Sequence, residues 1–261
     1  MKIAWALFDS GDGSYSRELK DNYNVIAIGK DKLKENKANF MNLDLANNGL
    51  LFDDTSLFDE LDKLPRPDII LASPPCESWS NASAMMRGNT CWYSSETEFK
   101  DGHVEKSKFT IRTSKHIDTK NHTPFKVDFT KTVRNRINGE LCAFNTMEII
   151  KHYKPEHYII ENPMTSKIFD YYEDVCDWHN IRNKVRYNNY DSEYPQKPTI
   201  FFSDIDLELD SSVHQSAVTI GVDKRKGARR KQIRNYNVRS SIPTSLIVEA
   251  VNKIESYDEV I

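Results

Sequence analysis

The sequence predicts an α/β protein built around a mostly parallel β-sheet. Seven short apolar runs are spaced along the chain, and several of the segments between them have helical periodicity. Strands that alternate with helices are typical of a parallel sheet with helical crossovers. The predicted strands are Ile3–Phe8, Asn24–Ile28, Asn39–Asn42, Asp68–Ala72, His157–Glu161, Asn183–Tyr187 and Thr199–Phe202.

Four helices are predicted between and after these strands. Tyr15–Asn22 follows the first strand, and Thr55–Leu64 places its apolar residues at helical spacing. Leu141–His152 carries a core-facing apolar stripe of imperfect period. In Thr244–Ser256 the period is regular, and Pro243 stands near the first turn, where proline is favoured.

Residues 84–140 interrupt this pattern as a polar insertion that is long for a plain loop. Between Lys100 and Arg136 the insertion holds ten Lys and Arg against four Asp and Glu. Such an excess suits a polyanion, and the alternative is a solvated flexible loop. We expect a DNA-contacting lobe if the partner is DNA.

Residues 204–238 form a second polar region, with a denser basic cluster. Eight Lys and Arg lie between Lys224 and Arg239, opposed only by Asp223. Eight like charges in so short a segment repel each other without a polyanion, so the cluster favours contact with phosphates.

The composition indicates one soluble domain spanning residues 1–261, with a net charge of -3 and 38% hydrophobic residues. No run approaches the ~20 apolar residues of a membrane span, and no signal-peptide pattern is present, so we expect no membrane association and a cytoplasmic location. The four cysteines are scattered without a C-x-x-C pair, which argues against a metal site and for a reducing compartment.

The loop Ser73-Pro74-Pro75-Cys76 follows the predicted strand Asp68–Ala72. The carboxyl edge of such a strand is where open α/β sheets bind ligands. Two prolines remove backbone donors and stiffen the loop, so an exposed thiol there is a candidate nucleophile. The alternative is a buried cysteine that packs as a small hydrophobe.

Glu161 ends another predicted strand, His157–Glu161, and is followed by Asn162 and Pro163. If this strand neighbours the one before Cys76, the carboxyl group lies near the thiol and can act as a general acid. The alternative is a strand-end glutamate that caps the next turn.

In chain order, the segments FDSGDGSYS (8–16), SPPCESWS (73–80) and IIENP (159–163) resemble the motif series of DNA cytosine-5 methyltransferases. The resemblance extends to Tyr194–Ser203 and Ser241–Pro243, and points to the short, phage-type branch with ENP. Each motif alone is weak, whereas their joint order and spacing is specific. The resemblance implies the Rossmann-like fold of S-adenosylmethionine-dependent methyltransferases and methylation of an extruded cytosine in DNA.

This resemblance gives Cys76 and Glu161 their roles. Cys76 would add to carbon 6 of cytosine, and Glu161 would supply a proton or hydrogen bond at ring nitrogen 3. RNA cytosine-5 methyltransferases place the attacking cysteine in the later motif, which here contains Glu161 and no cysteine. Methyltransferases that act on amino groups carry an aromatic residue at the position of Cys76.

The resemblance also implies S-adenosylmethionine as cofactor. Asp44 matches the acid that contacts the adenine amino group. Gly29 stands where the ribose acid is expected, with Asp31 two residues on as a substitute. The remaining implied cofactor residues surround the first and second motifs: Phe8, Ser10, Gly11, Gly13 and Pro74.

Nucleic-acid contacts are implied for three matched positions and one basic run. Ser80 matches a phosphate-contacting serine, and the strand before Ser203 keeps only Lys197 where larger relatives have arginines. Because the region between Ser203 and Ile242 is short, we expect reduced target recognition, or recognition by residues 84–140. The implied contacts are Ser80, Lys197, Thr199, Arg229, Arg230 and Lys231.

Two other functions stay open from the sequence. One is a cytosine-5 methyltransferase for RNA or single-stranded nucleic acid that uses the same Cys76 machinery. The other is a nucleic-acid-binding protein that keeps the fold without turnover, which the Gly29 departure favours. A bacterial cell or a phage-infected host is the expected setting, and the sequence gives no oligomeric state.

Overall fold

A seven-stranded sheet forms the centre of the protein. The computed structural model describes residues 1–10, 13–30, 39–80, 91–113, 128–219, 231–232 and 241–258. The strands are β1 (Lys2–Leu7), β2 (Tyr23–Gly29), β3 (Phe40–Asn42), β4 (Ile69–Ala72), β5 (Trp92–Glu98), β6 (Val104–Ile111), β7 (His157–Pro163), β8 (Ile181–Arg186), β9 (Pro198–Ser203), β10 (Val218–Thr219) and β11 (Lys231–Gln232).

The helices lie on both faces of the sheet. One apolar cluster contains residues from α2, α3 and α4, and a second, on different sheet residues, contains residues from α1 and α5. The helices are α1 (Ser14–Glu18), α2 (Ser56–Leu61), α3 (Phe129–Tyr153), α4 (Ile168–Asp174) and α5 (Thr244–Asp258).

The strand order is β3-β2-β1-β4-β7-β9-β8. Neighbours from β3 to β7 are parallel, whereas β9 runs antiparallel to both β7 and β8. The order reverses between β1 and β4, which opens a crevice at the carboxyl ends of those strands. The architecture is the α/β, Rossmann-like fold with a mostly parallel sheet that the sequence predicts.

All seven predicted strands belong to this sheet. Their residues read as apolar runs because central strands are covered on both faces; all four residues of β4 are buried. Within the described ranges, no helix combines the length and the apolar character needed to cross a membrane.

The first half of α3 departs from the sequence prediction. The helix begins at Phe129 rather than Leu141, with the Asp128 side chain accepting a hydrogen bond from the Lys131 backbone N–H at 3.1 Å. Because this half is mostly solvent-exposed, it lacks the apolar stripe from which a helix is recognised.

The 84–140 insertion therefore contains regular structure in its described part. Strands β5 and β6 pair as an antiparallel hairpin, and the insertion then ends within α3. The hairpin is mostly exposed, so its residues carry no continuous apolar run. Helix α4 was also not predicted from the sequence.

Candidate active site

Cys76 lies in the loop after β4, at the carboxyl edge of the sheet, and is half-buried. The loop closes as a turn, because the backbone N–H groups of Trp79 and Ser80 donate to the Cys76 carbonyl at 3.1 and 2.8 Å. Pro74, two residues earlier, is buried. These contacts hold the thiol in a fixed loop, as the two prolines predict.

Trp79 anchors this loop in the core. Its side chain is fully buried, stacks on Trp92 of β5 with ring centroids 6.0 Å apart, and contacts Tyr171 of α4 at 4.9 Å. Its carbonyl accepts a hydrogen bond from the Lys167 N–H at 3.0 Å. The β5–β6 hairpin and the Cys76 loop are thus packed on the same aromatic cluster.

Helix α3 approaches the same loop at Gly139. A Cβ at this position would overlap Ser78 Oγ and would lie 2.8 Å from Ser78 Cβ. The helix can lie this close only because residue 139 has no side chain, although glycine in a helix interior costs about 1 kcal/mol relative to alanine. Gly139 is a site residue that the sequence reading missed.

Strand β7 brings Glu161 and Asn162 to the edge where Cys76 lies. β7 is the parallel neighbour of β4, with Ala72 opposite Ile160, so Glu161 lies one residue beyond the end of β4. Glu161 is buried. The Asn162 side chain donates to the Pro74 carbonyl at 2.8 Å and ties the two predicted motifs together.

The charges around Cys76 act in opposite directions. Burial raises the pKa of the Cys76 thiol, and the carboxylates of Glu77 and Glu161 raise it further. A hydrogen bond with Ser80 and the ammonium group of Lys197 lower it. The thiol form is therefore favoured, and the charge of Glu161, the other predicted catalytic group, acts on the thiol.

Lys197 reaches this site from the loop before β9. Its backbone is left-handed, with φ of 30°, and its Nζ lies 4.5 Å from the ring centroid of Tyr187. Thr199 is fully buried and donates to the Lys197 carbonyl at 3.0 Å. Thr199 thus supports the turn that carries Lys197, and Ser80 is likewise buried.

Tyr187 is the second site residue that the sequence reading missed. It follows β8, is fully buried, and donates its hydroxyl to Glu161 Oε1 at 3.0 Å. Burial first, and then the charge of Glu161, raise the pKa of Tyr187 well above its ordinary value. No local motif marks this tyrosine, because its contact depends on the position of β9 between β7 and β8.

Asp9 organises the loop after β1. It is buried, and its carboxylate accepts hydrogen bonds from the backbone N–H groups of Gly13 at 3.1 Å and Ser16 at 3.4 Å. A Cβ at Gly13 would lie 2.5 Å from Asp9 Oδ1, so the loop requires glycine there. Phe8 has a left-handed backbone, φ 64°, which a non-glycine residue rarely adopts.

Close packing explains why a glycine, Gly29, ends β2. A Cβ there would lie 2.7 Å from the Asp9 backbone oxygen. An acidic side chain at this position would displace the β1 loop, so close packing between this loop and β2 explains why glycine stands where the resemblance predicts an acid.

Asp44 lies just beyond β3, at the same edge of the sheet. One carboxylate oxygen accepts the Ala46 N–H at 3.1 Å, and the other pairs with Lys30. The hydrogen bond and charge of Asp44 raise the pKa of Lys30. Both side chains are substantially exposed, so the pair contributes little stability and a competing ligand can open it.

Several cations of the insertion are engaged within the protein. Lys106 pairs with Glu96 at 3.1 Å, and Lys108 pairs with Asp174 at 2.9 Å. Arg112 is buried, with its guanidinium 5.3 Å from the Tyr93 ring centroid. The exposed cations on the described part of the insertion include two on α3, Lys131 and Arg134.

Of the remaining predicted site residues, two lie within the described part of the chain and four lie outside it. Ser10 is half-buried in the loop after β1. Lys231 is described only as part of the short strand β11. Gly11, Asp31, Arg229 and Arg230 lie outside the described residues.

Comparisons with known proteins give limited information. No protein-family model matches the chain, and no curated protein sequence matches it. Solved structures that match include a protein described as a DNA modification methyltransferase encoded within an E. coli prophage, with 13% sequence identity and a TM-score of 0.40. The match covers 78% of this chain and 46% of the other, so the chain spans about half the length of that protein. A similarity this low carries no argument about function.

Proposed function

We propose that the chain transfers a methyl group from S-adenosylmethionine to carbon 5 of cytosine in DNA, through a covalent cysteine adduct on a flipped base. The observation that carries this proposal is the convergence of Cys76, Glu161 and Lys197. These residues come from three elements, the loops and ends of β4, β7 and β9, and both charges act on the thiol. Chemical need and motif order select the same thiol and carboxylate.

Cys76 supplies the nucleophile. Its thiolate adds to carbon 6, a bond forms between Sγ and that carbon, and electron density moves into the ring toward carbon 5. Lys197 favours the thiolate by lowering the pKa of Cys76, whereas burial and the two carboxylates oppose it. Once carbon 5 carries the methyl group, its proton leaves to solvent and the bond between Sγ and carbon 6 breaks, which restores the aromatic ring and the thiolate.

Glu161 acts at ring nitrogen 3 of the flipped cytosine. As attack proceeds, negative charge develops on the ring, and a proton or hydrogen bond from the carboxyl group stabilises it. The group is buried next to the thiol and held by Tyr187, so it is already oriented before the substrate enters.

The cofactor would supply an electrophilic methyl group to carbon 5. The residues that fit it are at the carboxyl ends of β1, β3 and β4: Phe8 and Ser10, Asp44, and Pro74. Two observations support this fit. Gly13 and Gly29 pack closely against Asp9 and carry no side chains at this edge of the sheet. The Asp44 carboxylate is exposed, and a ligand can replace its partner Lys30. Gly11 and Asp31 stay predictions.

Contacts to DNA are proposed at two levels. Lys197 lies beside Cys76 and suits the flipped nucleotide, while Ser80 and Thr199 order the loops around it. The cluster with Arg229, Arg230 and Lys231 suits phosphates, whose contacts are independent of sequence.

Bisulfite sequencing of DNA from cells that express the chain tests the proposal directly. We expect protected cytosines in a defined sequence context, and none in cells that express Cys76→Ser, because a hydroxyl is a much weaker nucleophile than a thiolate. Equal protection in both samples would contradict the proposal. Transfer of tritiated methyl groups to RNA but not to duplex DNA in vitro would move the substrate to RNA.

A further inference from the structure

Tyr187 contacts both charged groups that Cys76 faces across the sheet edge. We propose that Tyr187 is a positioning residue, whose hydroxyl holds Glu161 and whose ring seats the ammonium group of Lys197, so that both are fixed beside Cys76. This role deepens the proposed function and rests on it, because Glu161 and Cys76 are catalytic only there.

The hydroxyl contact fixes the carboxylate. Tyr187 Oη donates to Glu161 Oε1 at 3.0 Å, and both side chains are buried. Because burial raises the pKa of Tyr187 well above its ordinary value, the hydroxyl stays protonated and remains a donor. A buried carboxylate left without this donor would lose a charge-assisted hydrogen bond and its orientation.

The ring contact fixes the cation. Lys197 Nζ lies 4.5 Å from the Tyr187 ring centroid, within the range of a cation–π interaction. The left-handed backbone of Lys197 is unfavourable for a lysine and persists only where the surroundings impose it. Two contacts do so: Thr199 donates to the Lys197 carbonyl at 3.0 Å, and the Tyr187 N–H donates to the Gln196 carbonyl at 3.0 Å.

The charges that act on Cys76 come from three elements. Glu77 lies in its own loop, Glu161 ends β7, and Lys197 precedes β9. The two carboxylates raise the pKa of the thiol and Lys197 lowers it, so displacement of the ammonium group leaves the hydrogen bond with Ser80 to oppose the carboxylates. Tyr187 therefore positions both the negative charge of Glu161, which raises the pKa of Cys76, and the positive charge of Lys197, which lowers it.

The contact between Lys197 and the Tyr187 ring is tested by the pH dependence of Cys76 alkylation. Iodoacetamide is the reagent, and the full chain is used without DNA or cofactor. The rate is followed against pH with the labelled peptide quantified by mass spectrometry. We expect the Tyr187→Leu profile to lie at higher pH than the Tyr187→Phe profile, because both variants lose the hydroxyl and only the leucine also removes the ring from the ammonium group. In a Lys197→Met background, the Tyr187→Leu and Tyr187→Phe profiles should coincide.

The role of the Tyr187 hydroxyl is tested by the rate of methyl transfer. Tyr187→Phe keeps the ring and should lower kcat by roughly 10- to 100-fold, the range for losing a hydrogen bond to a charged group, with KM for DNA unchanged. In a Glu161→Gln background the same substitution should cause no further loss, because its effect passes through Glu161. Thermal melting confirms that the variants are folded.

Each outcome decides one part of the proposal. Normal kcat in Tyr187→Phe overturns the hydroxyl role. Coinciding Tyr187→Leu and Tyr187→Phe profiles in the chain that keeps Lys197, or an equal difference between them with and without Lys197, overturn the ring role. A wild-type chain that transfers no methyl group to any nucleic acid contradicts the proposed function instead. The alkylation profiles then still decide whether Tyr187 seats Lys197.

Discussion

The two halves of the carboxyl edge are held by different kinds of contact. In the catalytic half, at the ends of β4, β7 and β9, side chains from distant segments lock together: Asn162 bonds Pro74, and Tyr187 bonds Glu161. In the proposed cofactor half, at the ends of β1, β2 and β3, Asp9 makes local contacts with the backbone of its own loop, and Tyr15 of α1 reaches Ser73 in the loop after β4 at 3.1 Å.

This difference separates two tasks. Covalent catalysis needs a thiol, an acid and a cation in one fixed geometry, and long-range contacts between buried groups provide it. Cofactor binding needs backbone near the ligand and few side chains, which Gly13 and Gly29 provide through close packing on Asp9. A side-chain link between the two halves is Tyr15, whose hydroxyl lies 3.1 Å from Ser73 Oγ, so substitutions away from Tyr15 should act mainly on the half in which they lie.

Glu161→Gln should have the largest effect and should separate chemistry from thiol reactivity. We expect methyl transfer to fall by about 10²–10⁴, the usual span for loss of a general acid. Alkylation of Cys76 at fixed pH should become faster, because a negative charge that raises the pKa of the thiol is removed and more thiolate is present. Slower alkylation together with near-normal turnover would show that Glu161 has neither role.

Gly13→Ala should break the cofactor half alone. Its backbone, with φ of -70°, is allowed for alanine, so any effect comes from the overlap of the new Cβ with Asp9. Such overpacking costs about 1–3 kcal/mol, and if this cost falls on the loop conformation that binds S-adenosylmethionine, the affinity drops by about 5- to 150-fold. Titration calorimetry measures that affinity.

The control for Gly13→Ala is the catalytic half of the same variant. Its Cys76 alkylation profile should match that of the wild-type chain. A changed profile with unchanged cofactor affinity would reverse the assignment of the two halves.

Gly139→Ala should have the smallest effect and tests how α3 supports the Cys76 loop. The new Cβ overlaps Ser78, so we expect a loss of about 1–3 kcal/mol in the free energy of unfolding, measured by denaturant titration. Ser78→Gly in the same chain removes both overlapping atoms and should restore most of the loss. If Gly139→Ala is instead as stable as the wild-type chain, the close approach does not limit the packing of α3.

Sequence reading could predict the strands of the sheet and the placement of Cys76 and Glu161 at neighbouring strand ends, whereas their catalytic roles stay predictions. Central strands such as β1, β4 and β7 are apolar runs in the sequence because they are buried, and Cys76 and Glu161 stand at the ends of two of these strands, in two of the matching motifs. Tyr187 could not be found in this way, since it follows β8 and its hydroxyl reaches Glu161 on β7, a strand that is not adjacent to β8 in the sheet.

The missed elements are those without an apolar signal. The β5–β6 hairpin and the first half of α3 are mostly exposed, so neither carries the periodic hydrophobic pattern on which prediction depends. Gly139 was missed for another reason: a glycine inside a helix reads as a weak point until the neighbouring loop is known.

Covalent trapping tests the central claim, that Cys76 is the attacking thiol, most directly. Long duplex DNA in which every cytosine is replaced by 5-fluorocytosine contains any target sequence, and fluorine blocks the elimination that would release the enzyme. With S-adenosylmethionine present, we expect a stable protein–DNA adduct whose linked peptide, mapped by mass spectrometry, contains Cys76. An adduct on Cys91, Cys142 or Cys176, or methylation of ordinary DNA with no adduct on the fluorinated DNA, would contradict the account.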